Sequence, residues 1–187
     1  MPIARAEEPM DQQFTDDNPR GLYFLADLIN AVQDGSGATP TGLEAVVEAH
    51  GGPPLRLTET TTEEVREAVA VIVSIFNTKD EDSAAEAINT LLDRYPAQPR
   101  LARMPKRRWS LHTQAPRDAQ PAQWLLSTAA LALALWLSER GYCAWGRCAA
   151  PGCDRYFIDT GRRTPQRYCS TRCGTRVRVA AHRNRSQ

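Results

Sequence analysis

From Pro19 onward, apolar residues recur at helical spacing. Leu22, Leu25, Leu28, Ile29 and Val32 form one stripe that ends at Gly35-Ser36-Gly37. A shorter helix follows Thr41, carries Leu43, Val46 and Val47, and stops at Gly51-Gly52-Pro53-Pro54. The run Thr60-Thr61-Thr62-Glu63-Glu64 predicts an N-terminal cap with acids in the first turn. Behind it Val65, Val69, Ile72, Val73 and Phe76 continue a third helix. From about Asp80 to Arg94, a fourth places Ala84, Ala87, Ile88, Leu91 and Leu92 on its inner face.

The helical period breaks between residues 99 and 116. Leu101, then Met104-Pro105-Lys106-Arg107, then Trp109, Leu111 and Thr113 alternating with polar residues predict a β-hairpin. A long helix follows from about Pro121 to Arg140, with Gly141 as its C′ residue. Residues 124–137 within it are almost continuously apolar, a stretch of 14 that is too short to cross a bilayer. It is read as a buried core helix, so no membrane partner is expected. The polar first 17 residues lack both the cationic lead and the apolar core of a secretory signal, and a cytoplasmic protein is expected. The fold class predicted is mainly α with a hairpin (α+β), followed by a small C-terminal finger. The divisions are residues 1–17, a flexible segment; 18–141, a helical domain; and 142–187, the finger. The helical domain is long enough to bury a core of its own and is expected to fold without the finger.

Charge sharpens the division. The net charge of the whole chain is +1. From Cys148 onward, however, nine arginines face two aspartates, giving +7, while fourteen bases against twenty acids leave residues 1–147 at −6. An acidic body with a basic arm points to a polyanionic partner. Nothing in the body assembles into a catalytic constellation. His50 and His112 are isolated, and Gly35-Ser36-Gly37 follows no strand and precedes no Gly-Lys-Ser/Thr. An enzyme is not expected.

All five cysteines lie in the last 45 residues, and four fit Cys148-x4-Cys153-x15-Cys169-x3-Cys173. Two short-spaced pairs are the usual source of a tetrahedral zinc site, because each pair wraps a tight turn that aims two thiolates at one ion. Pro151-Gly152 supplies such a turn in the first pair. Cys143 is an alternative first ligand, and Cys148 is preferred because it keeps the Pro-Gly turn within a short-spaced first pair. Residues 155–159 and 166–168 have strand character around a turn at 160–165, and the second pair opens a helix. Knuckle, hairpin and helix make a treble-clef-like layout. On the last helix Cys173, Val177, Ala180 and Ala181 share one face at 100° per residue. Arg178, His182 and Arg185 lie opposite, with Arg176 and Arg183 at the other edge. One structural Zn²⁺ held by four thiolates leaves no open coordination position, so hydrolytic chemistry does not follow.

The segments Cys148-Ala-Ala-Pro-Gly-Cys153, Phe157-Ile-Asp-Thr, Arg167-Tyr-Cys169-Ser and Cys173-Gly174-Thr175-Arg176 resemble the CGNR zinc finger, named for Cys-Gly-Asn-Arg at its second pair. In that family the finger commonly follows a helical domain called ABATE, described as a stress-induced transcription regulator. The body is similar to it in length and order of elements. The resemblance implies Cys148, Cys153, Cys169 and Cys173 as metal ligands and Arg176 as the signature arginine. This chain departs from the pattern in having Thr175 in place of the asparagine, and three intervening residues in the second pair. The leading expectation is a DNA-binding transcriptional regulator. Arg176, Arg178, His182, Arg183 and Arg185 on the helix and Arg162 and Arg163 on the loop are its candidate contacts, since arginine bonds phosphates and guanine edges. A homodimer contact or an effector ligand would belong to the N-terminal domain. The competing expectation is a zinc-stabilised interaction module that clamps an acidic protein.

Overall fold

A computed structural model of the chain describes residues 20–103, 109–114, 119–161 and 164–185. Six helices and two small antiparallel strand pairs appear among them. In order they are α1 (Arg20–Asp34), α2 (Pro40–Ala49), α3 (Glu59–Asn77), α4 (Glu81–Arg94), β1 (Gln98–Arg103), β2 (Trp109–Gln114), α5 (Pro121–Arg140), β3 (Trp145–Arg147), β4 (Tyr156–Ile158) and α6 (Thr171–Arg185).

Local chemistry sets most boundaries. Thr39 caps α2, its hydroxyl accepting the Gly42 N–H at 3.2 Å, with Pro40 in the first turn. The cap of α3 lies earlier than its threonine run predicts. Thr58 and Thr61 exchange side-chain and backbone hydrogen bonds in a capping box, so Glu59 is the first-turn acid. Asp80 accepts the Ser83 N–H at 2.8 Å and opens α4. Gly141, at φ 68°, closes α5 with its N–H on the Leu137 carbonyl.

The helices α1 and α5 form the centre. α1 buries Leu22, Phe24, Leu25, Ala26, Leu28 and Ile29, and α5 buries Leu125, Leu126, Ala129, Ala130, Leu133 and Trp136. α3 and α4 pack on α5, and α2 closes over α1 and α3. The 20-residue α5 is long and apolar enough to span a bilayer by length and composition. The shorter count expected from sequence omits the ends of the helix, so length does not decide its role. Its packing against α1, α3 and α4 makes it a core helix here. On α4, Ala84, Ile88 and Leu91 are buried as expected, while Leu92 faces outward.

The hydrophobic core does not stop at residue 141. Trp145, Tyr156 and Ile158 belong to it, with Phe76 of α3 packed on both the Trp145 and Tyr156 rings. Buried polar groups are paired across the same boundary. The Asn30 side chain bonds both backbone groups of Tyr156, donating to its carbonyl at 3.0 Å and accepting its N–H at 2.8 Å. The Trp145 indole donates to the Ile75 carbonyl, and the Trp136 indole to that of Ala144. The strands nearest the cysteines are thus part of the body, which the expectation of a self-contained domain at 18–141 did not include.

Candidate metal centre

The first cysteine pair sits in the turn of a hairpin. β3 and β4 are antiparallel, with Trp145 opposite Ile158 and Arg147 opposite Tyr156. Just beyond that register the Cys148 N–H donates to the Arg155 carbonyl at 2.8 Å. Within the loop the Cys153 N–H returns to the Ala150 carbonyl at 3.0 Å, and Gly152 takes φ 67°. A left-handed third residue after proline is the signature of a type II turn, which explains Pro151-Gly152 at this place. The expected pairing of 155–159 with 166–168 does not form. Instead β4 takes the segment before Cys148 as its partner, because Trp145 must enter the core beside Ile158. Residues 166–168 are irregular, tied down by Ala149 N–H to the Arg167 carbonyl and by the Gln166 side chain accepting the Thr160 N–H.

The second pair is positioned by the start of α6. The Ser170 hydroxyl accepts the Cys173 N–H at 3.3 Å and its carbonyl accepts that of Gly174. Ser170 thus acts as a helix cap, one that the sequence reading passed over. Gly174 is buried in the first turn, where an added Cβ would stand 3.3 Å from the Tyr168 ring. The glycine lets that ring close over the helix.

These elements bring Cys148, Cys153, Cys169 and Cys173 together, all four sulfurs within 4.8 Å of one another. Cys169 Sγ lies 3.8 Å from Cys153 Sγ and 3.7 Å from Cys173 Sγ. A zinc–sulfur bond of about 2.3 Å in a tetrahedron requires sulfurs about 3.8 Å apart, a spacing that both Cys169 distances match, with all four sulfurs within 4.8 Å. All five cysteines are free thiols. Cys143 stands outside the cluster, with its sulfur 3.8 Å from the Asp80 carbonyl. The Cys169 N–H donates to Cys148 Sγ at 3.4 Å and ties the two pairs together.

The protonation of the sulfurs shows why a cation belongs there. Burial, reinforced by its cysteine neighbours, pushes the Cys169 thiol up to about 12. The Ser170 hydroxyl holds Cys173 down at about 7. Four adjacent sulfurs cannot all ionise without a compensating charge, and Zn²⁺ supplies it. One structural zinc per chain is what this site holds.

The arginines divide into different roles. The Arg176 guanidinium donates to the Pro151 carbonyl at 3.0 Å and approaches Cys173 Sγ at 4.0 Å. It fastens the knuckle to α6 and lies beside the thiolates, so this candidate DNA contact is engaged within the finger. Arg178 donates to the Thr175 hydroxyl at 3.0 Å, which makes the residue in the asparagine position an orienting partner for Arg178. His182 and Arg183 are exposed on α6, and Arg185 is its last residue. Arg172, absent from the sequence-based set, is exposed in the first turn. Arg162 and Arg163 lie outside the described residues. The expected inner face of α6 is short. Cys173 and Val177 are half-buried, but Ala180 and Ala181 are exposed.

A helical body that ends in a four-cysteine zinc finger defines the class. The model of the CGNR zinc finger matches residues 145–186, and that of ABATE, described as "Putative stress-induced transcription regulator", matches residues 24–140. The chain belongs to the ABATE family and carries a C-terminal CGNR zinc finger. No curated protein matches it.

Proposed function

We propose that this protein is a DNA-binding transcriptional regulator, non-catalytic and cytoplasmic, with α6 as a principal DNA contact. The observation that carries the reading is the state of α6. Zinc and Ser170 hold its first turn, while from Arg178 to Arg183 every residue is exposed. Its 15 residues include five arginines and no acid. At a rise of about 1.5 Å per residue the helix is about 22 Å long, and a duplex major groove about 12 Å wide admits it. Arg178, His182 and Arg183 then face the duplex, with Arg162, Arg163 and Arg185 as the further candidate contacts that the sequence names. The exposed Ala180 and Ala181 add no bulk to obstruct that approach. Four thiolates and Zn²⁺ contribute −2, so the finger keeps a net +5. The family description supports the regulatory reading.

A salt titration of binding to duplex DNA tests this. With five or six phosphate contacts, log K should fall against log salt with a slope of roughly −5. Changing Arg178→Gln and Arg183→Gln together, with zinc retained, should flatten the slope by about two units. Weak, salt-insensitive binding by the wild-type protein would turn the reading towards an acidic protein partner.

A further inference from the structure

The last turn of α5 meets the chain just where it leaves β4, and side chains from both sides of that boundary bond one another. Arg140, the final residue of α5, lays its guanidinium over two rings, 5.2 Å from the centre of Trp136 and 5.4 Å from that of Tyr142. Its Nη2 donates to the Tyr142 hydroxyl at 2.7 Å and to the Gly161 carbonyl. The Tyr142 hydroxyl donates in turn to Asp159 Oδ2 at 3.1 Å, and Asp159 Oδ1 accepts the Gly161 N–H at 2.8 Å. Asp159 is only 3 % exposed. Its backbone is fixed as well, because the Ala144 carbonyl accepts both the Asp159 N–H at 2.9 Å and the Trp136 indole at 3.2 Å.

These bonds satisfy a buried side chain, as burial of a polar group requires. They also hold a particular stretch of backbone. The hydrophobic core ends at Ile158, and Cys169, the next metal ligand, lies eleven positions further on. Along the way the Gln166 side chain accepts the Thr160 N–H, and the Arg167 carbonyl accepts the Ala149 N–H. The segment that delivers the second cysteine pair is therefore tied at three points: to the end of α5, to itself, and to the knuckle. Fixing each residue of a loop carries an entropic cost. Where Arg140, Tyr142 and Asp159 fix residues 159–161 before the metal arrives, that cost does not fall on zinc binding.

We propose that Arg140, Tyr142 and Asp159 are positioning residues for the zinc centre. They act as a latch that presets residues 159–161, and they make the end of α5 the point at which the helical body acts on the finger. None of the three touches the metal. The latch concerns zinc affinity, so it stands independently of the DNA-binding reading given above.

The test is chelator competition for zinc with the full-length protein, joined to hydrogen exchange of the zinc-free form. Tyr142→Phe removes one oxygen and keeps both rings in place, and it should weaken zinc binding by about tenfold, the low end of the range for groups that support metal ligands. In the same variant the Gly161 amide should lose its protection in the zinc-free form, while amides of α1 and α3 keep theirs. Arg140→Gln should weaken zinc binding to a similar degree. Combined with Tyr142→Phe it should cost little more than either change alone, because the residues act as one unit. Wild-type zinc affinity in Tyr142→Phe would overturn the proposal. So would fully additive effects in the double variant, or a loss of zinc affinity that appears only together with lost protection throughout α1 and α3, which would mark a general weakening of the body.

Discussion

The two halves of the finger each give two sulfurs to one metal, yet they are held by opposite means. The β3–β4 half places Trp145, Tyr156 and Ile158 in the body's core, with Asn30 bonded to both backbone groups of Tyr156. The α6 half buries only Gly174, and among the described residues no other helix or strand packs extensively against it. Apolar burial positions the first half; metal coordination positions the second. The zinc site therefore works as a clamp that fastens an exposed basic helix to a preformed platform.

The largest effect expected from this contrast is that of metal loss. Cys169→Ser, or removal of zinc by a chelator, should take the metal content from one per chain to none. Structural zinc sites supply on the order of 10–16 kcal/mol, and here that stabilisation acts on α6. Hydrogen exchange should show α6 amides losing protection while those of α1, α3 and β4 keep theirs. Because zinc holds its ligands as thiolates, their pKa values in the loaded finger lie below those of the free thiols. The contribution is thus present above the free-thiol range and lost as pH falls through the loaded-state values, so acid should release α6 first. Loss of the whole fold with the metal would break the comparison.

The next largest effect falls on the other half. Trp145→Ala should cost about 3–5 kcal/mol of global stability by leaving a cavity against Phe76, measured by denaturant unfolding. Since a domain's net stability is only about 5–15 kcal/mol, a chain ending at residue 141 should fail to melt cooperatively. A cooperative melt of that truncated chain would show the core to be complete without the hairpin. The smallest expected effect separates clamp from platform at one residue. Arg176→Ala should lower zinc affinity by about 10- to 100-fold in chelator competition, the usual range for an outer partner of metal ligands. Body unfolding should be unchanged.

Elements with a strong period or a distinctive terminator were legible in the chain. The stripe of α1, the span of α5 and its Gly141 stop, the β1–β2 hairpin and the paired cysteine spacing all express short-range rules. A helix face, a turn or a cap needs only residues within one or two turns. The start of α3 was misplaced because Thr58, Thr60, Thr61 and Thr62 are chemically alike, and only the geometry of the Thr58–Thr61 box distinguishes them. The strand partner of β4 was missed because 166–168 and 145–147 have similar strand character. The choice between them depends on Trp145 reaching Phe76, 69 residues earlier.

By itself, then, the sequence determined that four thiolates at two short spacings would make one zinc site, and that a basic helix would follow it. Both are local: ligand spacing and helical period are properties of a few consecutive residues. Only the tertiary structure decided that half of the finger is body and half is clamp. It also separated Cys148 from Cys143 as a ligand, and turned Arg176 inward to Pro151 while leaving Arg183 exposed. Those outcomes depend on which distant surfaces exclude water together, and on buried groups such as Asn30 and the Tyr156 backbone finding partners 126 positions apart.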